Sequence, residues 1–371
     1  MLIGSAAVSA AANALGRMRR ARPPRILVVK LDHLGDLVTA TPVFRALREA
    51  FPDVPIDALV GPWGRDVLRG NPHVSRIHVY DSPRFRRGGA PGRREAGLRV
   101  LRALAAERYT HIVELRGDAR TLLLPFFCRS IRRVDRGTVR IRLWLARRGF
   151  GASGPRPPMH EVQANLAVVR PLLNGRAPAE RVEIFLSASE REAARGRLRA
   201  AGIDAGLALV VLHPGAAWRP RAWRVDRFVE LARRIRQRWG AAIAFVGGPA
   251  ERDLEGFLRS STADLGAACV FDAPLRETLA LISEASLFVG SDSGLAHAAA
   301  ACGTPVVALF GPQDPRRFRP WSPRAVVLHR PVPCFPCAQK RCVRPELPCV
   351  NLIASEEVEA AAARLLQGAG P

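Results

Sequence analysis

Lysine is nearly missing from this chain. Of its 57 basic residues only Lys30 and Lys340 are lysines; the rest are arginine. A composition that favours arginine codons, alongside alanine, glycine and proline, accounts for that choice but not for the formal charge of +24. Such an excess points to an anionic partner: nucleic acid, phosphorylated lipid or a membrane surface. Long apolar runs are missing as well, and none approaches the roughly 20 residues that span a bilayer. The opening segment, MLIGSAAVSAAANALGRMRRARPP, carries its charges after a weak apolar part, the reverse of a secretory signal. Residues 1–24 read as a frayed basic extension, with a short basic helix lying on a membrane as the alternative. There is no secreted cysteine framework. Cys128, Cys269 and Cys302 sit in apolar patterns and read as small core residues, which fits a cytoplasmic protein. G-x-G-x-x-G and the P-loop are both absent, which argues against a dinucleotide or P-loop fold. So are helix-turn-helix and RNA-binding signatures, and with them the best case for a nucleic-acid partner.

What remains is an alternation of strands and helices in two halves. At 371 residues the chain suits two domains, and the alternation marks parallel α/β sheets. The first, over 25–178, opens with the buried-strand run RILVVKL. A short helical turn follows, and then a helix with Thr41 as N-cap and Pro42 in first position. Further strands are expected at IDALV, RIHVYD, THIVEL and IRRVD, and a helix starting near His160. The second, over 179–371, reads LALVVLHPG, a helix in RVDRFVELARRIRQRW, then AIAFVGGP, LRETLALISEA, LFVGSDSG, LAHAAAAC and TPVVALFG, with a last helix near SEEVEAAAARLL.

Glycines stand at the carboxyl ends of successive strands in the second half, in HPGA, VGGPAE and GSDSG. Ligands bind at that edge of an open parallel sheet. In GSDSGLAH, Gly290 and Gly294 let backbone approach a ligand, and Ser293 opens a helix whose free N–H groups suit a pyrophosphate. The plainer readings are a turn residue for Asp292 and a half-buried helix residue for His297. Arg221, in HPGAAWRPRAW, could hold phosphate oxygens; Trp223 beside it reads as packing on the following helix. Glu251 either favours the first turn of a helix or accepts ribose hydroxyls. Cys334, Cys337, Cys342 and Cys349 lie close enough in sequence to hold a structural metal, with reduced thiols or a local disulfide as the alternatives. In the first half, Asp36 stands at a helix start after a strand, where a phosphate would normally bind and a carboxylate repels one.

The motifs LGDLVTATPVFRAL, HPGA…RAW, GGPAE, GSDSGLAHAAAACGTPVVALFGP and the late C-x2-C…C loop, in this order, resemble glycosyltransferase family 9, the family of the ADP-heptose:lipopolysaccharide heptosyltransferases. The resemblance implies a GT-B fold, two Rossmann-like α/β domains facing across a cleft. The nucleotide-sugar donor would sit on the second domain and the acceptor on the first. It implies an inverting transfer with Asp36 as general base. Asp292, Ser293, Gly294 and His297 would form the donor loop, and Glu251 would be the ribose-side acid. Arg221 stands where the family usually has lysine, a departure that keeps the charge and changes the geometry. It implies ADP-sugar as donor substrate rather than a cofactor, and an anionic glycolipid as acceptor. Arg116 and Arg120 follow the strand THIVEL and, from its carboxyl end, are the expected anion ligands for that acceptor. The absence of D-x-D agrees with a metal-independent enzyme. The protein would be cytoplasmic and peripheral on the inner face of the membrane, with no nucleic acid partner. A helix dipole at Asp36 would stabilise the carboxylate and weaken it as a base, making proton transfer late. A UDP-sugar transferase or epimerase, and a non-enzymatic polyanion binder, are the competing expectations.

Overall fold

The computed structural model describes residues 23–81, 94–116, 132–136, 159–335, 337, 342–344, 346 and 348–367. The chain divides into two compact units, Met1–Val182 and Glu183–Pro371. Every strand pairing within them is parallel.

The first unit holds a five-stranded sheet in the order β3-β2-β1-β4-β5. Its strands are β1 (Ile26–Lys30), β2 (Ile56–Val60), β3 (Arg76–Val79), β4 (His111–Glu114) and β5 (Arg132–Asp135). β1 and β2 are buried at every position, the pattern of a parallel strand covered on both faces. The helices are α1 (Leu34–Val38), α2 (Thr41–Ala50), α3 (Gly64–Leu68), α4 (Arg94–Glu107) and α5 (Glu161–Val169). α2 buries Val43, Phe44, Ala46 and Leu47. It begins at Thr41 rather than Pro42, and Ala40 occupies the cap. The Thr41 hydroxyl points backwards and donates to Val38 O (2.8 Å). α5 starts where expected, with the His160 ring accepting from the Val162 N–H at 3.2 Å.

The second unit holds a six-stranded sheet in the order β11-β10-β9-β6-β7-β8. Its strands are β6 (Leu209–His213), β7 (Ala242–Val246), β8 (Ala268–Val270), β9 (Leu287–Ser291), β10 (Val306–Phe310) and β11 (Ala325–His329). The helices are α6 (Ala188–Ala200), α7 (Val225–Trp239), α8 (Glu255–Ser261), α9 (Leu275–Ser283), α10 (Gly294–Cys302), α11 (Pro315–Phe318) and α12 (Ser355–Gln367). One core joins Val210, Phe228, Leu231, Ile235, Phe245, Val289 and Leu309 to Val358, Ala361 and Ala362 of α12. β8 and β11 are additions to the sequence reading. Both are edge strands, one only three residues long and the other half-buried throughout.

Both sheets share one topological device. The chain leaves β1 for β2 and β3, then returns to β4 on the other side of β1. It leaves β6 for β7 and β8, then returns to β9 on the other side of β6. Each reversal opens a crevice at the carboxyl ends of the central strands, where open α/β sheets take ligands.

Candidate active site

In the second unit the crevice lies beyond β6 and β9. β6 ends on His213, whose ring stacks near Phe288 (centroids 6.3 Å apart) and whose Nδ1 lies 3.2 Å from Ser293 Oγ. Burial pushes the His213 imidazole down to about 4, so it is neutral at physiological pH. Because Ser293 faces His213, its hydroxyl does not cap α10, the helix it precedes. The first N–H groups of α10, beginning at Gly294, therefore stay available to an anion. Next to them Arg221 Nη1 meets Asp292 Oδ2 at 3.2 Å. His297 is buried on the first turn of the same helix.

Arg221 is carried by a 3₁₀ turn, Arg219–Arg221. The residues after it are clasped by a distant part of the unit. Trp223 packs edge-on against Phe228 (4.9 Å), as the sequence suggested, and its N–H groups donate to Ser291 Oγ and Ile353 O. The Arg224 N–H donates to Asn351 Oδ1 at 3.1 Å, and Arg227 Nη1 donates to the carbonyls of Asn351 and Ile353 at 2.8 and 2.6 Å.

Glu251 fulfils its plainer expectation in detail: Oε2 accepts from the Gly248 N–H at 2.8 Å. It also packs directly against the HPG loop. A Cβ at Gly215 would lie 2.5 Å from Glu251 Cγ, so only glycine admits this approach. The two motifs HPG and GGPAE thus form one piece of wall.

In the first unit the corresponding crevice lies beyond β1 and β4, and it is full of charge. The Asp32 carboxylate is shared between Lys30 Nζ (2.9 Å) and Arg116 Nη1 (3.1 Å). Lys30 Nζ also lies 3.5 Å from Leu115 O, and Arg116 donates to Leu31 O at 2.8 Å. Trp63 Nε1 donates to Asp32 O at 2.8 Å and its ring stacks on His33. Behind these, Arg136 pairs with Glu161 (2.6 Å) and reaches Asn165 Oδ1 and Leu115 O. Asn165 in turn donates to Thr39 O at 3.2 Å.

Asp36 sits on α1 inside this cluster, and among the described residues no side chain bonds its carboxylate. Burial pushes the carboxyl above its ordinary value; Lys30 opposes that, Asp32 and Glu161 add to it, and His33 opposes it weakly. This corrects the expectation from the helix dipole. α1 has only five residues, and desolvation outweighs what so short a helix supplies. Asp36 is a stronger base than a free aspartate rather than a weaker one.

Arg116 is at this crevice but is engaged with Asp32 and Leu31, not simply projecting from the strand end. Arg120 and the extension over residues 1–22 lie outside the described residues. Asp32 was the sequence reading's next candidate base after Asp36; Lys30, Arg136, Glu161 and His213 were not nominated from sequence. His213 had a local signal, as part of the HPG motif, whereas Arg136 and Glu161 come from segments far from Lys30 in the chain. Cys334, Cys342 and Cys349 are free thiols. Among the described residues no group of three histidine, cysteine or acidic side chains that could hold a metal ion is found. No described helix is long and apolar enough to cross a membrane.

The sequence model described as glycosyltransferase family 9 (heptosyltransferase) matches residues 98–347. The chain is similar to lipopolysaccharide heptosyltransferase 3 of Escherichia coli, with 26% identity over 295 residues, 78% of this chain and 84% of that one. In structure it is similar to a family 9 glycosyl transferase from Veillonella parvula (TM-score 0.76, 22% identity, 95% of this chain and 99% of that one). It is also similar to the E. coli heptosyltransferase WaaC with ADP (TM-score 0.69, 19% identity, 92% of this chain and 99% of that one). These likenesses give both units the GT-B class of fold.

Proposed function

The chain is a glycosyltransferase belonging to family 9, and from that membership we propose that it moves a heptose from ADP-heptose to a lipopolysaccharide-core acceptor. The observation that carries the donor half is the uncapped start of α10, set beside the Arg221–Asp292 pair and the neutral His213. Backbone N–H groups and one guanidinium suit a diphosphate, and a neutral imidazole adds no competing charge. ADP bound to WaaC supports the choice of nucleotide. Ser293, Gly294, Asp292 and His297 line the diphosphate in this reading, and Glu251 accepts from the ribose.

The reaction is a single inverting displacement. The acceptor oxygen attacks the anomeric carbon as its proton passes to the Asp36 carboxylate. The bond from the anomeric carbon to the diphosphate oxygen breaks, and ADP leaves with the electron pair. Arg221 stabilises the charge that develops on the leaving group. Arg116 and Arg120 are the proposed contacts for an anionic glycolipid, met at the inner face of the cytoplasmic membrane, to which a chain of charge +24 is attracted. No metal takes part in this scheme, since the sequence has no D-x-D pair.

A donor panel read by thermal shift, followed by turnover on core acceptors, tests the proposal. ADP-heptose stabilises the protein and ADP is released on addition of acceptor. Stabilisation by UDP-sugars alone would overturn the donor assignment, and loss of turnover in EDTA restored by magnesium or manganese would overturn the metal-free scheme.

A further inference from the structure

A cavity of about 700 Å³ runs beside β8, the edge strand of the second sheet, and no residue of the proposed donor site lines it. Its size is that of a small-molecule site. β8 supplies one side. The last turn of α6 adds Arg197, and α8 with the turn before it adds Arg252, Glu255 and Arg259. The backbone of β8 shows which groups reach this space. Gly247 donates its N–H to Val270 O at 3.2 Å, so Val270 faces β7. In a parallel ladder successive residues turn their backbone groups to opposite sides. Cys269 therefore turns its N–H and its carbonyl away from β7, to the cavity side.

The acceptors on these walls are already engaged. Cys269 O accepts from Arg259 Nη2 at 2.9 Å. Glu255 pairs with the same guanidinium at 2.6 Å. Asp272 pairs with Arg197, which also meets Glu277 at 3.0 Å. Two donors are left over. Among the described residues the Cys269 N–H has no acceptor, and the exposed Arg252 pairs with no carboxylate. A further β-strand needs acceptors as well as donors along an edge, and here the carbonyl is blocked. Donors alone suit an anion. A guanidinium fork takes two oxygens and the amide takes another, so an anion with three acceptor oxygens satisfies both where a carboxylate does not. Ala200, Ala201, Ala267 and Ala268 leave room on the same walls for an uncharged body beside the anion.

We propose that this cavity binds a soluble sugar phosphate, its phosphate held by Arg252 and the Cys269 N–H and its sugar lying against the alanines. The proposal is independent of the donor and acceptor assignments. The probe is glucose 6-phosphate, titrated into full-length protein labelled with nitrogen-15 at cysteine, with Cys269→Ala identifying the Cys269 amide signal. That signal should move saturably with glucose 6-phosphate and stay still with glucose. Arg252→Gln, at an exposed position without an ion pair, should fold normally and weaken binding by about tenfold or more. Inorganic phosphate should bind more weakly, because it leaves the alanine-lined space empty; equal affinity would overturn the sugar-phosphate assignment. An unmoved Cys269 signal overturns the proposal, even if glucose 6-phosphate binds elsewhere on the protein. Unchanged affinity in Arg252→Gln overturns it as well. So does a tetraglutamate peptide that moves the signal where glucose 6-phosphate does not, which would make the cavity a peptide groove. Should Arg252→Gln fail to fold, the wild-type Cys269 signal decides alone.

Discussion

The two crevices arise from the same strand reversal and are filled in opposite ways. Beyond β6 and β9 stand glycines, a hydroxyl, a neutral imidazole and one arginine–aspartate pair. Beyond β1 and β4 stand three carboxylates and three cations, Asp32, Asp36 and Glu161 with Lys30, Arg116 and Arg136. The first arrangement suits a ligand that brings its own charge, because fixed N–H dipoles and close backbone approach need no titratable partner. The second suits a proton transfer, because mutual interactions among charges decide which carboxylate is free to accept. In the proposed reading one fold plan serves binding in one unit and acid–base chemistry in the other, and the difference lies in side chains rather than topology.

The contrast breaks most readily at Asp36. Asp36→Asn keeps the shape, so the protein should fold and bind ADP as before while kcat falls about 10²–10⁴-fold, the usual contribution of a positioned base. Near-normal kcat would make Asp36 a helix-start residue and return the charged crevice to a structural role.

Acid should distinguish the units next. The folded-state value of His213 lies below its unfolded value near 6.5, so the stability it contributes is present above about pH 6.5 and is lost as pH falls toward about 4. The loss is on the order of 3 kcal/mol. In the first unit Asp57 is buried, and that cost is outweighed by the nearby His78 (3.8 Å), the hydrogen bond from Tyr109 (2.7 Å) and Arg25, leaving its carboxyl below its ordinary value. Its stability is retained above the unfolded value of 3.8 and lost only below it. Calorimetry at pH 7 and pH 5 should show the second unit weakening first, and His213→Gln should flatten that dependence. An unchanged pH dependence in the variant would mean that His213 is not the buried neutral group described.

The smallest effects are expected within the donor crevice. Arg221→Gln should weaken ADP binding by about 1.5–3 kcal/mol, the range for a hydrogen bond to a charged group. Glu251→Ala should weaken it by roughly 1 kcal/mol and leave the rate of bound substrate nearly intact. Titration calorimetry with ADP measures both, and unchanged affinity in either variant removes that residue from the donor site.

Much of the frame was legible because buried parallel strands print long apolar runs, as in ILVVK and LVVLH. β8 and β11 were not read, although β11 carries the apolar run AVVL; β8 is only three residues long and both stand at the edges of the sheet. In the site, Asp36, Arg221, Glu251 and the GSDSG loop were found from motifs, each a local string. The Lys30–Asp32–Arg116 network was out of reach because its third member comes from a strand end 85 residues away. The state of Asp36 was read with the wrong sign for a related reason. Sequence shows that a carboxylate starts a helix, but not how deeply the rest of the fold buries it.

The clasp on the Arg221 turn has a consequence for synthesis. Trp223, Arg224 and Arg227 are held by Asn351 and Ile353, more than 120 residues further along the chain. While the protein is still being made, the β6 strand and its turn emerge long before the residues that fix them, and domains tend to settle as their last elements arrive. Competence to hold a nucleotide should therefore come late, only after Asn351 and Ile353 have left the ribosome. A nascent chain stopped before Asn351 would carry every proposed donor-binding residue without the latch that keeps Arg221 in place.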